Sequence, residues 1–248
     1  MTDPGVDEGF DPKSMLAERV RQQLSIFPDK FAELNEGGEL SRLCRTPHTL
    51  RGPKVDQKRE DFTEQYLIEP ILHGLGYWNP ISEQYDGSGS HFVRQPTTFR
   101  KIEVKRPDYL LKNISPETVC IVEAKAANQE RPTGGKQKAT DDIEEYVRSN
   151  TFSKYLKSRE QRYLVAIGTD GFRWKLWAKD VRSDETKMEI ATVDLSDAIA
   201  TIARERSVVE GDPGLGTVEV RRFLTTEFVP AFSARYITPY VKDRFEET

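Results

Sequence analysis

ETVCIVEAK, residues 117–125, is the stretch on which the fold turns. Val119 to Val122 is an unbroken apolar run with β-branched side chains, the pattern of a strand covered on both faces. It ends in two opposite charges one residue apart, Glu123 and Lys125. Side chains two apart on a strand share a face, so both project in line with Val119 and Ile121. A charge at the end of a buried strand is costly without a partner, and the nearest candidate is Asp108. If KIEVKRPDYLL (101–111) pairs beside this strand, Asp108 meets Glu123 where the two strands separate. Two carboxylates and an ammonium converging there would bind a divalent cation such as Mg2+ through oxygen, with the lysine left to orient or activate a water.

The rest of the chain bounds that reading. Its 248 residues can bury a real core, as one large domain or as one domain with appendages. At 31% charged and 36% hydrophobic, the composition fits neither a disordered chain nor a membrane protein. No apolar run approaches a bilayer span, and the acidic start MTDPGVDEGFDPKS lacks the apolar core of a secretory signal. A cytoplasmic protein with no membrane partner is expected. Cys44 and Cys120 are the only cysteines, and Cys120 lies inside the apolar run, which argues against a disulfide framework. His48, His73 and His91 have no zinc-ligand spacing, so any metal is held by oxygen. The net charge of -4 argues mildly against an obligate nucleic-acid binder. It leaves room for a nuclease, whose site gathers carboxylates while basic residues line one face.

Periodicity organises the remainder. Residues 1–12 read as a disordered leader, and apolar positions from Met15 to Leu34 recur at spacings of three and four, predicting one helix or a pair broken near Pro28. NEGGELSRLCRTPHTLRGPKVDQKRE reads as a connecting segment. A helix is expected over about 60–75, with Pro70 kinking it or marking its second turn. HFVRQPTTF and KIEVKRPDYLL are extended candidates, and TGGKQKATDDIEEYVRSN begins as a turn and becomes a helix. RYLVAIGTDGFRWKLWAKD is a hairpin around Asp170-Gly171, and the residues after about Asp194 look helical. The segments fall at 1–55, 56–193 and 194–248, a helical extension on each side of a mixed α/β core around a small sheet.

Pro107-Asp108 and Glu123-Ala124-Lys125 match the signature of the PD-(D/E)xK nucleases, a superfamily that the chain resembles. The ExK closes a β-branched apolar strand, as the central strand of that fold does. Its successor turns into a helix on which many relatives place a glutamine or a tyrosine facing the site. The hairpin YLVAIGTDGFRWKLWA is similar to the strand-turn-strand of restriction-enzyme nuclease domains, whose turn commonly reads TNG or TDG before a tryptophan. With DFTEQYLIEPILHGLGY upstream, the similarity covers roughly residues 60–180 and is to the N-terminal endonuclease domain of type I and type IIG restriction enzymes.

The resemblance implies a restriction-endonuclease-like α/β fold, a mixed central sheet flanked by helices. It implies a Mg2+-dependent endodeoxyribonuclease of a restriction-modification system acting on double-stranded DNA, with Mn2+ able to substitute. Asp108, Glu123 and the carbonyl of Ala124 would hold the metal with help from Glu64, and Lys125 would position the attacking water. A methyltransferase, specificity or motor region, in the same or a separate polypeptide, and a transient dimer on DNA are the partners implied. Two alternatives stand beside it: a catalytically inactive nuclease-like module for DNA binding or assembly, and a nuclease of repair or mobile-element processing.

Other positions carry two accounts each. Glu64 heads an apolar stripe with Ile68, Ile71 and Leu75; it either completes the metal cluster or closes a capping box with Asp61. Gln137 and Tyr146 are possible accessory groups, although Asp142 stands where relatives carry the glutamine that precedes the tyrosine. Glu103-Val104-Lys105 is a second ExK, but it precedes the PD and reads as a solvated face. Arg42, Arg45, Arg51, Lys54, Lys58 and Arg59 form a solvated linker or an arm on phosphate. Trp174 and Trp177 read as core.

Overall fold

The computed structural model describes residues 11–46, 48–50, 57–81, 86–99, 106–130, 138–213 and 216–246. Most of the expected leader, Glu103-Val104-Lys105, Gln137, Arg51 and Lys54 lie outside them.

The chain opens with α1 (Pro12–Leu24) and α2 (Ile26–Glu33), the expected pair, but the break falls at Ser25. Pro28 instead sits in the first turn of α2, where its missing N–H leaves no helical bond unmade. The connecting segment contains a helix that the sequence reading missed, α3 (Gly37–Arg45), which buries Leu40 and Leu43. Next comes one long helical run: α4 (Arg59–Thr63), a π-helical turn at Glu64–Ile68, and α5 (Glu69–Gly74). The wide turn ends where Glu69 N–H reaches back to the Glu64 carbonyl, just before Pro70, which has no N–H to continue the ladder.

Three strands follow: β1 (His91–Arg94), β2 (Tyr109–Lys112) and β3 (Thr118–Ala124). Then come α6 (Ala139–Arg148), α7 (Asn150–Ser158), β4 (Tyr163–Thr169), β5 (Arg173–Asp180) and β6 (Glu185–Asp194). The chain closes with α8 (Ser196–Glu205), α9 (Gly216–Phe223), a second π-helical turn at Leu224–Phe228, α10 (Val229–Phe232) and α11 (Ile237–Glu246). Neither α7 nor β6 was anticipated. β6 is a largely exposed edge strand, so it lacks the buried alternation that marks a strand in sequence.

Among the described residues, six strands form one mixed sheet in the order β1-β2-β3-β4-β5-β6. All neighbours are antiparallel except β3 and β4, which run parallel and therefore need the crossover that α6 and α7 supply. The fold is α/β, with the mixed sheet flanked by helices, as the sequence predicted. β3 is buried along its whole length. Cys120 and Val122 enter the larger core with Leu67, Ile68, Trp174 and Phe228, whereas Val119 and Ile121 meet Ile143, Tyr146 and Phe152 on the face covered by α6 and α7. The larger core runs from Ala17 to Val241, so the first and last helices share it. Both hairpin tryptophans are buried, Trp174 in the larger core and Trp177 in the smaller. Among the described residues no helix is long and apolar enough to cross a membrane.

Candidate active site

β2 and β3 pair antiparallel through Tyr109 with Val122 and Leu110 with Ile121, so Asp108 and Glu123 stand across from each other just beyond the last pair. Asp108 Oδ2 accepts from the Ala124 N–H at 2.8 Å, which fixes the aspartate at the mouth between the strands. The carboxyl groups of Asp108 and Glu123 lie within hydrogen-bonding reach of one another. Burial, and then the charge of Asp108, pushes the Glu123 carboxyl up to about 8. Tyr146, one helical turn after Asp142 on α6, donates to Glu123 Oε1 at 2.9 Å.

Lys125 extends the same line. Its backbone N–H donates to the Thr169 carbonyl at 2.9 Å, anchoring it to β4. Its ammonium lies 2.9 Å from Asp142 Oδ2, 3.9 Å from Glu123 Oε2 and 3.9 Å from Glu60 Oε1. Burial opposes that charge, but Asp142, Glu123 and Glu60 together outweigh it and hold the lysine above its ordinary range. The loop after Lys125 is tied to α4, since the Ala127 N–H donates to Thr63 Oγ1 at 3.0 Å.

Glu64 is placed differently from the capping-box account. The helix begins at Arg59 with Lys58 as its cap, so Asp61 lies inside it and Glu64 does not fold back on its start. Instead Glu64 Oε2 accepts from the Tyr109 hydroxyl at 2.6 Å and from Arg94 Nη2 at 2.9 Å. Arg94 also reaches Glu69, at 3.2 Å. Burial raises the Glu64 carboxyl despite Tyr109 and Arg94, and the charge of Asp108 adds to the rise. One turn earlier on the same stripe, Glu60 is the helix acid that faces Lys125, and burial raises it too. Sequence reasoning followed this stripe forward from Glu64 and not back to Glu60.

The hairpin tip explains the Thr169-Asp170-Gly171 turn. Asp170 is fully buried; its Oδ1 accepts from the N–H groups of Phe172 and Arg173, and its Oδ2 from that of Glu130. Burial holds the Asp170 carboxyl up, at about 6. Gly171 has φ +79°, and a Cβ there would lie 2.4 Å from Leu67 Cδ2 in the π-helical turn. The glycine thus serves both a left-handed turn and a close approach, and the tip docks on the helix that carries Glu60 and Glu64. Glu130 in turn accepts from the Ala139 N–H and Thr140 Oγ1 at the start of α6.

The donor set fits a hard divalent cation such as Mg2+. It offers only oxygen, in two crowded carboxyl groups, one of which is held above its ordinary range by burial and by the charge of the other. Among the described residues no group of three or more His, Cys, Asp or Glu side chains is placed to hold a metal ion. Mg2+ does not need one, because it is commonly bound by one or two carboxylates and completed by water and substrate phosphate. Asp108 and Glu123 would be those ligands.

Compared with known protein families, with curated proteins and with solved structures, the chain matches none.

Proposed function

We propose that this chain is a Mg2+-dependent endonuclease domain with a restriction-endonuclease-like fold, hydrolysing phosphodiester bonds of double-stranded DNA in the cytoplasm. The observation that carries the reading is the pairing of Asp108 with Glu123 at the open end of two strands, with Lys125 on the same line. Acids perturbed by burial and by a specific charge partner are functional-site candidates. A restriction-modification role rests on the resemblance of residues 60–180 to restriction-enzyme nuclease domains.

When bound, Mg2+ supplies Lewis acidity to the phosphate and charge neutralisation as the bond to the leaving oxygen breaks. Lys125 orients the water that adds to phosphorus and stabilises the negative charge that grows on the phosphoryl oxygens. Tyr146 fixes the rotamer of Glu123, and the Ala124 N–H fixes that of Asp108. One such site cuts one strand, so a double-strand break calls for two copies meeting on the DNA. A methyltransferase, specificity or motor region would gate the cut.

The test is incubation of plasmid with the chain, alone and with the product of the neighbouring coding sequence, with Mg2+, Mn2+ or EDTA. Metal-dependent nicking or linearisation is expected from the wild type and its loss from Lys125→Ala, with circular dichroism and DNA binding unchanged. A folded wild type that never cuts, or a Lys125→Ala that cuts normally, overturns the assignment.

A further inference from the structure

We infer that Asp142 is a positioning residue that keeps the Lys125 ammonium off Glu123, leaving the glutamate open to the cation. The inference rests on the proposed nuclease reading and adds to it a residue outside the acid-acid-lysine signature. The backbone of Lys125 is fixed by Thr169, but its side chain has four rotatable bonds and three carboxylates within reach. The distances choose among them: 2.9 Å to Asp142 against 3.9 Å to Glu123. The closest ion pair of Lys125 is thus made away from the pair that would bind metal. An ammonium resting on Glu123 would be a competing cation at that carboxylate.

α6 is built to hold this arrangement. Asp142 is 1% exposed and Tyr146 also 1%, one helical turn apart, so the helix presents one partner to Lys125 and one to Glu123. Its first turn is pinned by Glu130. Gly168, which lies opposite Glu123 in the β3–β4 register, lets it approach the sheet: a Cβ there would be 3.3 Å from the Ala139 Cβ and from Ile143 Cδ1. Even an alanine at this position of β4 would require α6 to give by a few tenths of an ångström.

The experiment is calorimetric titration of the full chain with Mg2+, and with Mn2+ as a tighter probe, without DNA, alongside thermal unfolding. Asp142→Ala is expected to weaken metal binding about tenfold, within the usual range for coupled neighbours. Adding Lys125→Ala to it is expected to restore near-wild-type affinity, because the competing cation is gone. Loss of the Asp142 charge alone would weaken binding in both backgrounds, and so would a purely structural role, which also lowers the unfolding temperature. Unchanged affinity in Asp142→Ala, or no recovery in the double variant, overturns the inference. If Asp142→Ala does not fold, Asp142→Asn with and without Lys125→Ala gives the same comparison. A folded wild type that binds neither metal refutes the nuclease reading itself, whereas a wild type that binds while Asp142→Ala is unaltered refutes the inference alone.

Discussion

Glu123→Gln should make the metal-free protein more stable while abolishing its proposed activity. Glutamine keeps a carbonyl to accept from Tyr146 and removes the charge that Asp108 and burial oppose. The folded carboxyl stands at about 8 against an ordinary 4.5, so the native state holds its proton more tightly than the unfolded chain does. The stability tied to that proton is fully present below the unfolded value and is lost as pH rises through the folded one. At about pH 7 the loss amounts to roughly 3 kcal/mol. Glutamine has no such loss. For a chain of this size the gain corresponds to roughly 6 to 12 °C in unfolding temperature. The assay is thermal or urea unfolding in EDTA at about pH 5 and about pH 8. The variant should lead at the higher pH, with the gap narrowing to under about 1 kcal/mol at the lower. Mg2+ should raise the wild type and leave the variant unmoved. A variant no more stable than wild type at the higher pH, or a gap independent of pH, would refute the reasoning about crowded carboxylates.

Gly171→Ala should cost about 2 to 4 kcal/mol, from left-handed backbone strain and the clash with Leu67, measured by urea unfolding. Gly168→Val should push α6 from the sheet and lower the rate of cleavage about a hundredfold, with the far-ultraviolet circular dichroism of the wild type retained. Glu60→Gln should reduce plasmid cleavage about tenfold more than Glu64→Gln, because Glu60 faces Lys125 while Glu64 is held by Arg94 and Tyr109. Equal losses would refute that distinction between the two acids.

The central pairing was legible because burial and charge collide in one short run: Val119 to Val122 demands a covered strand, and Glu123 and Lys125 can end it only if partners are near. The Asp170-Gly171 turn was legible for a similar reason, since the chain must reverse between two apolar strands. Asp142 was visible in sequence only as a departure from a pattern; that it would reach Lys125 depends on how closely α6 approaches β4 across Gly168, a tertiary fact. The capping box at Asp61 failed because the helix cap lies three residues earlier, at Lys58. Helix α3 was hidden by its Gly37-Gly38 start, which reads as a turn until Leu40 and Leu43 find a core to enter.

The acid-bearing helix is fastened from far along the chain. Tyr77, just beyond α5, donates to the Phe232 carbonyl at 3.0 Å, a partner 155 positions later, and the Ala234 N–H reaches the Leu75 carbonyl. During synthesis the N-terminal portions of a protein emerge first. The far end of the helical run that carries Glu60 and Glu64 therefore lacks these two bonds until residues 232 and 234 have been made, although Asp108, Glu123 and Lys125 are by then already in the chain.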